Sequence, residues 1–316
     1  MTDATSQRIA RASTVRTSVG SRTINWVDSH IGWVMIAPAL IVLASVSLYP
    51  FLFNVWLSTH NVELLNIRAP VWQWTGVRNF IRVLNDDATR ASLLRTAIIA
   101  FWTVLLQMAL GLLGAVAFNR AFVGKRVLMV LALVPMMATP IVVGIAWQML
   151  LSYDWGVANY LLELVRLRPL QWLSDANLAV ISTIVVQVWW GVSFVMLVLI
   201  GGLAAIPSSL YEAAEVDGAT DARMFWYITL PLLRPVLIVV ATIKLIDALR
   251  EFDIIYALTG GGPGDATRVF SLELYYTAYA RGDFGMSAAQ ALLLLVAVLL
   301  LTVPLVRLLV RKDNRA

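Results

Sequence analysis

Five charged residues stand close together inside an otherwise apolar stretch between Pro235 and Thr259: Lys244, Asp247, Arg250, Glu251 and Asp253. On a helix, Lys244, Asp247 and Glu251 share one face at spacings of three and four, and Arg250 with Asp253 makes another such pair. A charge held in a bilayer costs roughly 2.5 kcal/mol or more unless it is paired or wetted. Two readings stay open. In one, the helix neutralises itself, Lys244 with Asp247 and Arg250 with Asp247 or Asp253, inside a bundle. In the other, it is the polar wall of a water-filled path whose carboxylates accept hydrogen bonds from ligand hydroxyls. Glu251 and Asp253 are then the preferred ligand contacts, while Asp247 lines the same wall and, with Lys244, sets its structure.

A second apolar stretch carries a companion face. Gln187, Trp190 and Phe194 recur at three and four residues, with Gly191 and Ser193 beside them. Aromatic faces stack on flat apolar surfaces of a ligand, and amides serve hydroxyls. Trp190 and Phe194 are read equally well as packing or lipid-facing side chains, whereas an amide such as Gln187 in an apolar environment needs a partner. Gln148, near the end of a third stretch, is a weaker candidate for contact with the same ligand.

Little else in the chain supports covalent or metal chemistry. There is no cysteine, and the two histidines are His30 and His60, so thiolate sites, disulfides and paired metal-ligand motifs are missing. No G-x-x-x-x-G-K-[ST] occurs; the glycines of Gly260–Gly264 are followed by Asp265 and read as a flexible turn at a helix end. A membrane-embedded enzyme therefore has no chemistry to offer here.

The elements that position these residues follow from hydropathy. Of the 316 residues 60% are hydrophobic and only 14% are charged, where soluble domains are about 25% charged. Uncharged runs long enough to cross a bilayer predict spans at about 31–57, 96–118, 127–151, 176–203 and 286–308, and the charged stretch 233–258 is counted as a sixth. Strand alternation is lacking, so the expected fold class is an all-α integral membrane bundle of six transmembrane helices. Pro135 and Pro140 predict a kink in the third span. Residues 1–30 read as a polar cytoplasmic tail and 311–316 as a second one, with the transmembrane domain over 31–310. With both termini inside, the cytoplasmic segments hold 13 Lys and Arg against 9 outside, a modest bias of the expected sign.

The stretch 207–231 reads as a short helix, a stop and a second helix. Ser209 with Glu212 fits a capping box, Gly218 a left-handed helix end, and Thr220 or Asp221 the next cap, with Pro231 ending or kinking the second helix. The first helix is too short to be stable in water unless something packs on it, so it suits docking into a partner's groove. The plainer reading is an ordinary interfacial loop.

Here the residues carry a resemblance. Glu212-Ala213-Ala214, Asp217-Gly218-Ala219, then Phe225, Ile228, Leu230-Pro231 and Pro235 resemble the EAA loop of permease subunits of bacterial ABC importers. The segment Phe252-Asp253-x-Ile255-Tyr256-x-Leu258-Thr259-Gly260-Gly261-Gly262-Pro263 is similar to the sugar branch of that family, of the MalF/UgpA type. Pro140, Trp147, Trp155-Gly156 and Asn159 fit the same branch.

The resemblance implies a non-catalytic subunit of the inner membrane forming half of a path for a carbohydrate, polyol or glycerol-phosphate substrate. Tyr211, Glu212, Ala213, Ala214, Asp217, Gly218, Ala219, Phe225 and Pro231 would couple it to ATPase subunits, and Phe252 joins the path residues. It further implies a second, MalG-like permease subunit, two ATPase subunits that hold the ATP and Mg, and an extracytoplasmic solute-binding protein. No cofactor is expected on this chain, and no nucleic acid as partner. The rival reading is an ion-coupled secondary transporter with Asp247, Glu251 and Asp253 as a relay.

Overall fold

The computed structural model describes residues 33, 35–69, 71–120 and 122–313. The expected tail 1–30 lies outside them. Among the described residues the chain is helical, with two isolated bridges, His60 with Trp74 and Glu63 with Asp283, and no strand. It divides into two units at Trp56–Leu57.

The first unit contains nearly all of α1 (Met35–Ser58), an apolar helix of 24 residues with a π-helical turn at Ala44–Leu48. Its second half carries a ladder of stacked rings, Tyr49 on Phe53 and Phe53 on Trp56.

The second unit starts with α2 (Arg78–Asn85) and α3 (Asp87–Asn119). The Asp86 carboxylate accepts from the Thr89 amide and so caps α3, which begins nine residues before the predicted span. The third apolar stretch is not one kinked helix. It is α4 (Lys125–Met137) and α5 (Pro140–Leu150), bent by 102° across Ala138 and Thr139. Pro135 stays inside α4, and Pro140 opens α5, where its missing N–H costs nothing. A short α6 (Val157–Leu164) leads to α7 (Ala176–Ala204), capped by Asp175.

Next come α8 (Ser208–Val216) and α9 (Asp221–Met224), then a π-helical turn at Phe225–Thr229 that runs directly into α10 (Leu230–Leu249). Pro231 therefore does not end the second helix of the loop; it sits in the first turn of α10 and the helix continues, Pro235 included. The charged stretch is broken as well. Arg250–Phe252 leave helical geometry, and α11 (Asp253–Thr259) starts afresh. Then follow α12 (Phe270–Tyr279) and α13 (Phe284–Asp313).

Among the described residues, four helices have the length and apolarity to cross a membrane, α1, α3, α7 and α13 up to Arg307, and the α4–α5 pair makes up to a fifth. The stretch counted as a sixth span carries Arg234, Lys244 and Asp247 within α10 alone. The core lies where α3 and α7 pack side by side, with α4, α5, α10 and α11 against them. Gly191 sets how close α3 comes: a Cβ there would sit 2.1 Å from Gln107 Nε2. At the α12–α13 end, Glu273 is fully buried with Oε1 2.7 Å from Arg281, and Arg82 pairs with Asp283 at 2.7 Å.

Candidate functional site

Two groups of residues stand out, one at the end of α7 and one at mid-helix. The first is the 207–231 loop. Pro207 is the N-cap of α8 and offers no side-chain cap, so the Ser209–Glu212 capping box does not form; the helix starts two residues earlier than that box would place it, at Ser208, and Ser209 already lies inside it. Its end is closed by backbone alone. Gly218 N–H donates to Glu215 O at 3.0 Å and Ala219 N–H to Ala214 O at 2.9 Å, with Gly218 at φ +75°. Those two bonds are the Schellman closure, which places the residue after the cap in the left-handed region that glycine enters freely. Thr220, rather than Asp221, caps α9 by accepting from the Arg223 amide.

No residue of α8 is buried, and Glu212, Ala213, Glu215, Val216 and Asp217 are exposed. A single side-chain bond ties it back: Tyr211 Oη lies 2.9 Å from Thr229 Oγ1. Asp221 reaches Arg120 Oδ2 to Nη2 at 2.6 Å, which places the end of α3 beside the loop. Tyr211, Phe225, Thr229, Arg120 and Asp221 share the lining of one concavity of about 320 Å³. Pro231 borders a separate apolar hollow with Leu230, Arg234 and Leu237.

The second group is a polar cleft between α3, α7 and α10. Thr103, Gln107, Gln187, Trp190, Lys244, Asp247, Ala248 and Glu251 line it, around free space of about 10 Å³, the room one water needs. Lys244 is only 4% exposed. Its ammonium lies 3.5 Å from Asp247 Oδ2 and over two rings, 5.3 Å from the Trp190 centroid and 5.8 Å from that of Phe194. Desolvated cation–π contacts of this kind hold a buried ammonium by about 2 kcal/mol or more. The Trp190 and Phe194 faces expected to meet a ligand are thus turned to lysine. The Trp190 indole N–H donates to the Ala138 carbonyl at 3.0 Å, at the α4–α5 break, where no helical partner remains.

Gln187 is buried on the cleft wall, and Gln107 donates to its carbonyl at 2.8 Å. Gln187 Nε2, Gln107 Oε1 and Thr103 Oγ1 are buried without a partner. Asp247 also faces Arg250 at 3.7 Å, so Arg250 pairs backward along α10 and not with Asp253. Glu251 Oε1 accepts from the Ile254 amide at 3.0 Å and closes the first turn of α11.

Three predicted contacts stand apart from the cleft. Asp253 is exposed in the first turn of α11, because the break at Arg250–Phe252 ends the common face that the spacing suggested. Phe252 stacks on Tyr256 at 5.2 Å and meets Tyr275 at 5.2 Å; a hydrogen bond with Tyr256 raises the Tyr275 phenol above its ordinary pKa. Gln148 lines a different cavity, with Trp155 and Trp172. Conversely, Thr103 and Gln107 were not singled out from the sequence. The available signal was weak: an isolated amide within the uncharged 96–119 run.

Comparison with known proteins bears on both groups. The family described as "Binding-protein-dependent transport system inner membrane component" matches residues 107–315, which include the loop and most of the cleft. The trehalose/maltose transport system permease protein MalF of Thermococcus litoralis is 37% identical over 280 residues, covering 89% of this chain and 94% of that protein. The sn-glycerol-3-phosphate transport system permease protein UgpA of Agrobacterium fabrum is 31% identical over 284 residues, covering 89% and 95%. Among solved structures, a bacterial ABC transporter involved in the import of the acidic polysaccharide alginate shares the fold at a TM-score of 0.79 and 20% identity, over 92% of this chain and 99% of that one. The same kind of transporter in complex with an alginate pentasaccharide-bound periplasmic protein gives 0.76, again at 20% identity, over 89% and 95%. With two thirds of its length matched by one family and relatives aligned nearly end to end, this chain belongs to the inner-membrane components of binding-protein-dependent transport systems, the non-catalytic permease subunits of ABC transporters.

Proposed function

We propose that this chain is the transmembrane subunit of an ATP-driven importer and forms half of the path for a carbohydrate or a related polyol or glycerol-phosphate substrate. It crosses the membrane six times with both termini in the cytoplasm, the α4–α5 pair and α10–α11 serving as broken spans. A second permease subunit of the same kind supplies the other half, two ATPase subunits dock from the cytoplasm, and an extracytoplasmic binding protein delivers substrate. The names of the relatives support this substrate range, since they include a trehalose/maltose and a glycerol-phosphate system.

The observation that carries the coupling role is α8. It is a nine-residue helix with no buried residue, fixed in place by its Schellman end and by Tyr211–Thr229. A helix that short is not stable on its own in water, and a docked partner supplies what its exposed face lacks. Across the Asp217–Thr220 turn, α9 runs through the π-turn directly into α10, so a displacement of α8 reaches Lys244 by way of that one short turn. ATP binding by the docked subunits then shifts the population between outward and inward states of the path. No residue of this chain performs covalent chemistry.

The test is transport by the assembled system in vesicles. Uptake that requires internal ATP and survives an ionophore is the expected result. Uptake that persists without ATP and stops with the proton gradient would instead establish an ion-coupled carrier.

A further inference from the structure

Gln148 lines a second cavity, of about 340 Å³ and separate from the polar cleft, beside the amino-terminal end of α7, the end opposite the α8 loop. The lining includes Gln148, Tyr153, Asp154, Trp155, Gln171 and Trp172. Its volume is in the range of small-molecule sites, roughly 300–1,000 Å³. Nothing assigned so far to the loop or to the cleft uses it.

Its chemistry is that of a site for a hydroxylated ring. Trp155 is 65% exposed and Tyr153 49%, so aromatic surface is available for stacking on the C–H face of a sugar. Two amides and one carboxylate can take hydroxyls. No Lys or Arg lines the cavity, which leaves a phosphate or sulfonate without a counter-charge.

The cavity wall is also rigid before any ligand arrives. Asn159, 3% exposed, donates to Tyr153 O and Leu170 O at 3.1 Å each and accepts from Leu170 N at 3.0 Å and Trp172 Nε1 at 2.9 Å. Ser182 Oγ fixes the Trp172 carbonyl at 3.0 Å. Gly156 makes the turn beneath Trp155 so tightly that a Cβ there would lie 2.3 Å from Ser152 O. A tryptophan that only marks the bilayer interface needs neither a concavity nor such a scaffold, whereas a binding site gains affinity from it because less is left to order.

We propose that this cavity is an entry subsite for one neutral pyranose unit of the transported substrate, with Trp155 as the stacking face and Gln148, Asp154 and Gln171 as hydroxyl partners. The proposal rests on the importer reading and narrows it: on this chain's side, the first contact selects a neutral sugar over an anionic one.

The experiment is saturation-transfer NMR on the assembled transporter in nanodiscs, without binding protein, using maltose as the neutral probe and glycerol 3-phosphate as the anionic one. The wild type should give signal on the maltose ring protons and none on glycerol phosphate. Trp155→Ala should weaken maltose binding about tenfold, and Gln171→Ala, which removes an exposed amide and leaves the scaffold intact, should also weaken it. Val123→Ala, at a fully exposed position outside both the cavity and the cleft, should leave the maltose signal in place. The proposal is overturned by equal signals from wild type, Trp155→Ala and Gln171→Ala, by an equal loss of signal in Val123→Ala, or by no wild-type signal. Weakened binding-protein docking in Trp155→Ala with the maltose signal intact would assign the cavity to docking and overturn it too. ATP dependence of uptake in the same preparation stands apart: if it holds while the NMR result fails, only the subsite falls.

Discussion

The Trp190 indole N–H reaches the Ala138 carbonyl at 3.0 Å, while the face of the same ring carries the Lys244 ammonium at 5.3 Å. One side chain of α7 thus holds both the break between α4 and α5 and the buried cation of α10. The two contacts use different parts of the indole and separate by substitution. Trp190→Phe keeps a ring under Lys244 and removes the donor, leaving a carbonyl unpaired at a cost of about 1–3 kcal/mol. Trp190→Ala loses both contacts and should lower the thermal midpoint of the purified assembly further than Trp190→Phe. Equal midpoints for the two variants would contradict a role for the ring face.

The pairing of Lys244 with Asp247 predicts an asymmetry. Asp247→Ala strands a buried ammonium, with a penalty of about 3 kcal/mol. Lys244→Met removes the buried charge, keeps much of the volume and leaves Asp247 next to Arg250, so it should destabilise less. The double variant should recover part of what Asp247→Ala loses. Thermal unfolding of the three variants, measured side by side, decides it.

Gly191 predicts a steric effect on the α3–α7 contact. In Gly191→Ala the new Cβ meets Gln107 Nε2 at 2.1 Å, which drives Gln107 off the Gln187 carbonyl. Overpacking of this kind costs about 1–3 kcal/mol. Gln107→Ala in the same background removes the clash and should restore part of the stability; if it adds a further loss of the same size, the two residues do not meet.

At the loop, Glu212→Lys and Gly218→Pro should abolish transport while the protein still reaches the membrane. Glu212 is exposed, so its replacement leaves the fold of this chain alone. Gly218→Ala is the milder probe, since a left-handed position costs a residue with a Cβ roughly 1–2 kcal/mol and loosens the Schellman end. Uptake and membrane abundance, measured together, separate lost coupling from lost protein; wild-type uptake in Glu212→Lys would remove α8 from the coupling role.

Much of the loop was legible because its signals are local. Gly218 marks the left-handed end, and Thr220 and Asp221 offered a cap from which the structure selects Thr220. The expected cap at Ser209 lies two residues past the observed one, because Pro207 already turns the chain into α8. At the charged stretch, Lys244, Asp247 and Glu251 meet in one cleft as their spacing suggested. Asp253 does not, because no Gly or Pro marks the break at Arg250–Phe252 and the charge pattern alone reads as a continuous face. Long-range contacts left no trace to read. Nothing near Trp190 in the sequence points to Ala138, 52 residues away, or turns its ring to Lys244. Likewise the π-helical turn before Pro231 has no local signature that distinguishes it from a helix ended by proline.

Cross-linking tests the coupling role of α8 most directly. The chain has no cysteine, so Ala213→Cys introduces a single thiol on the exposed face of α8 without any background to remove. In the assembled transporter this thiol should cross-link to the ATPase subunit, with an efficiency that changes between ATP-bound and nucleotide-free states, while a cysteine at exposed Tyr279, far along the chain in α12, should not cross-link to it. An assembly that hydrolyses ATP and transports substrate, yet gives no cross-link from Ala213→Cys to the ATPase in either state, would contradict the assignment of α8 as the coupling helix.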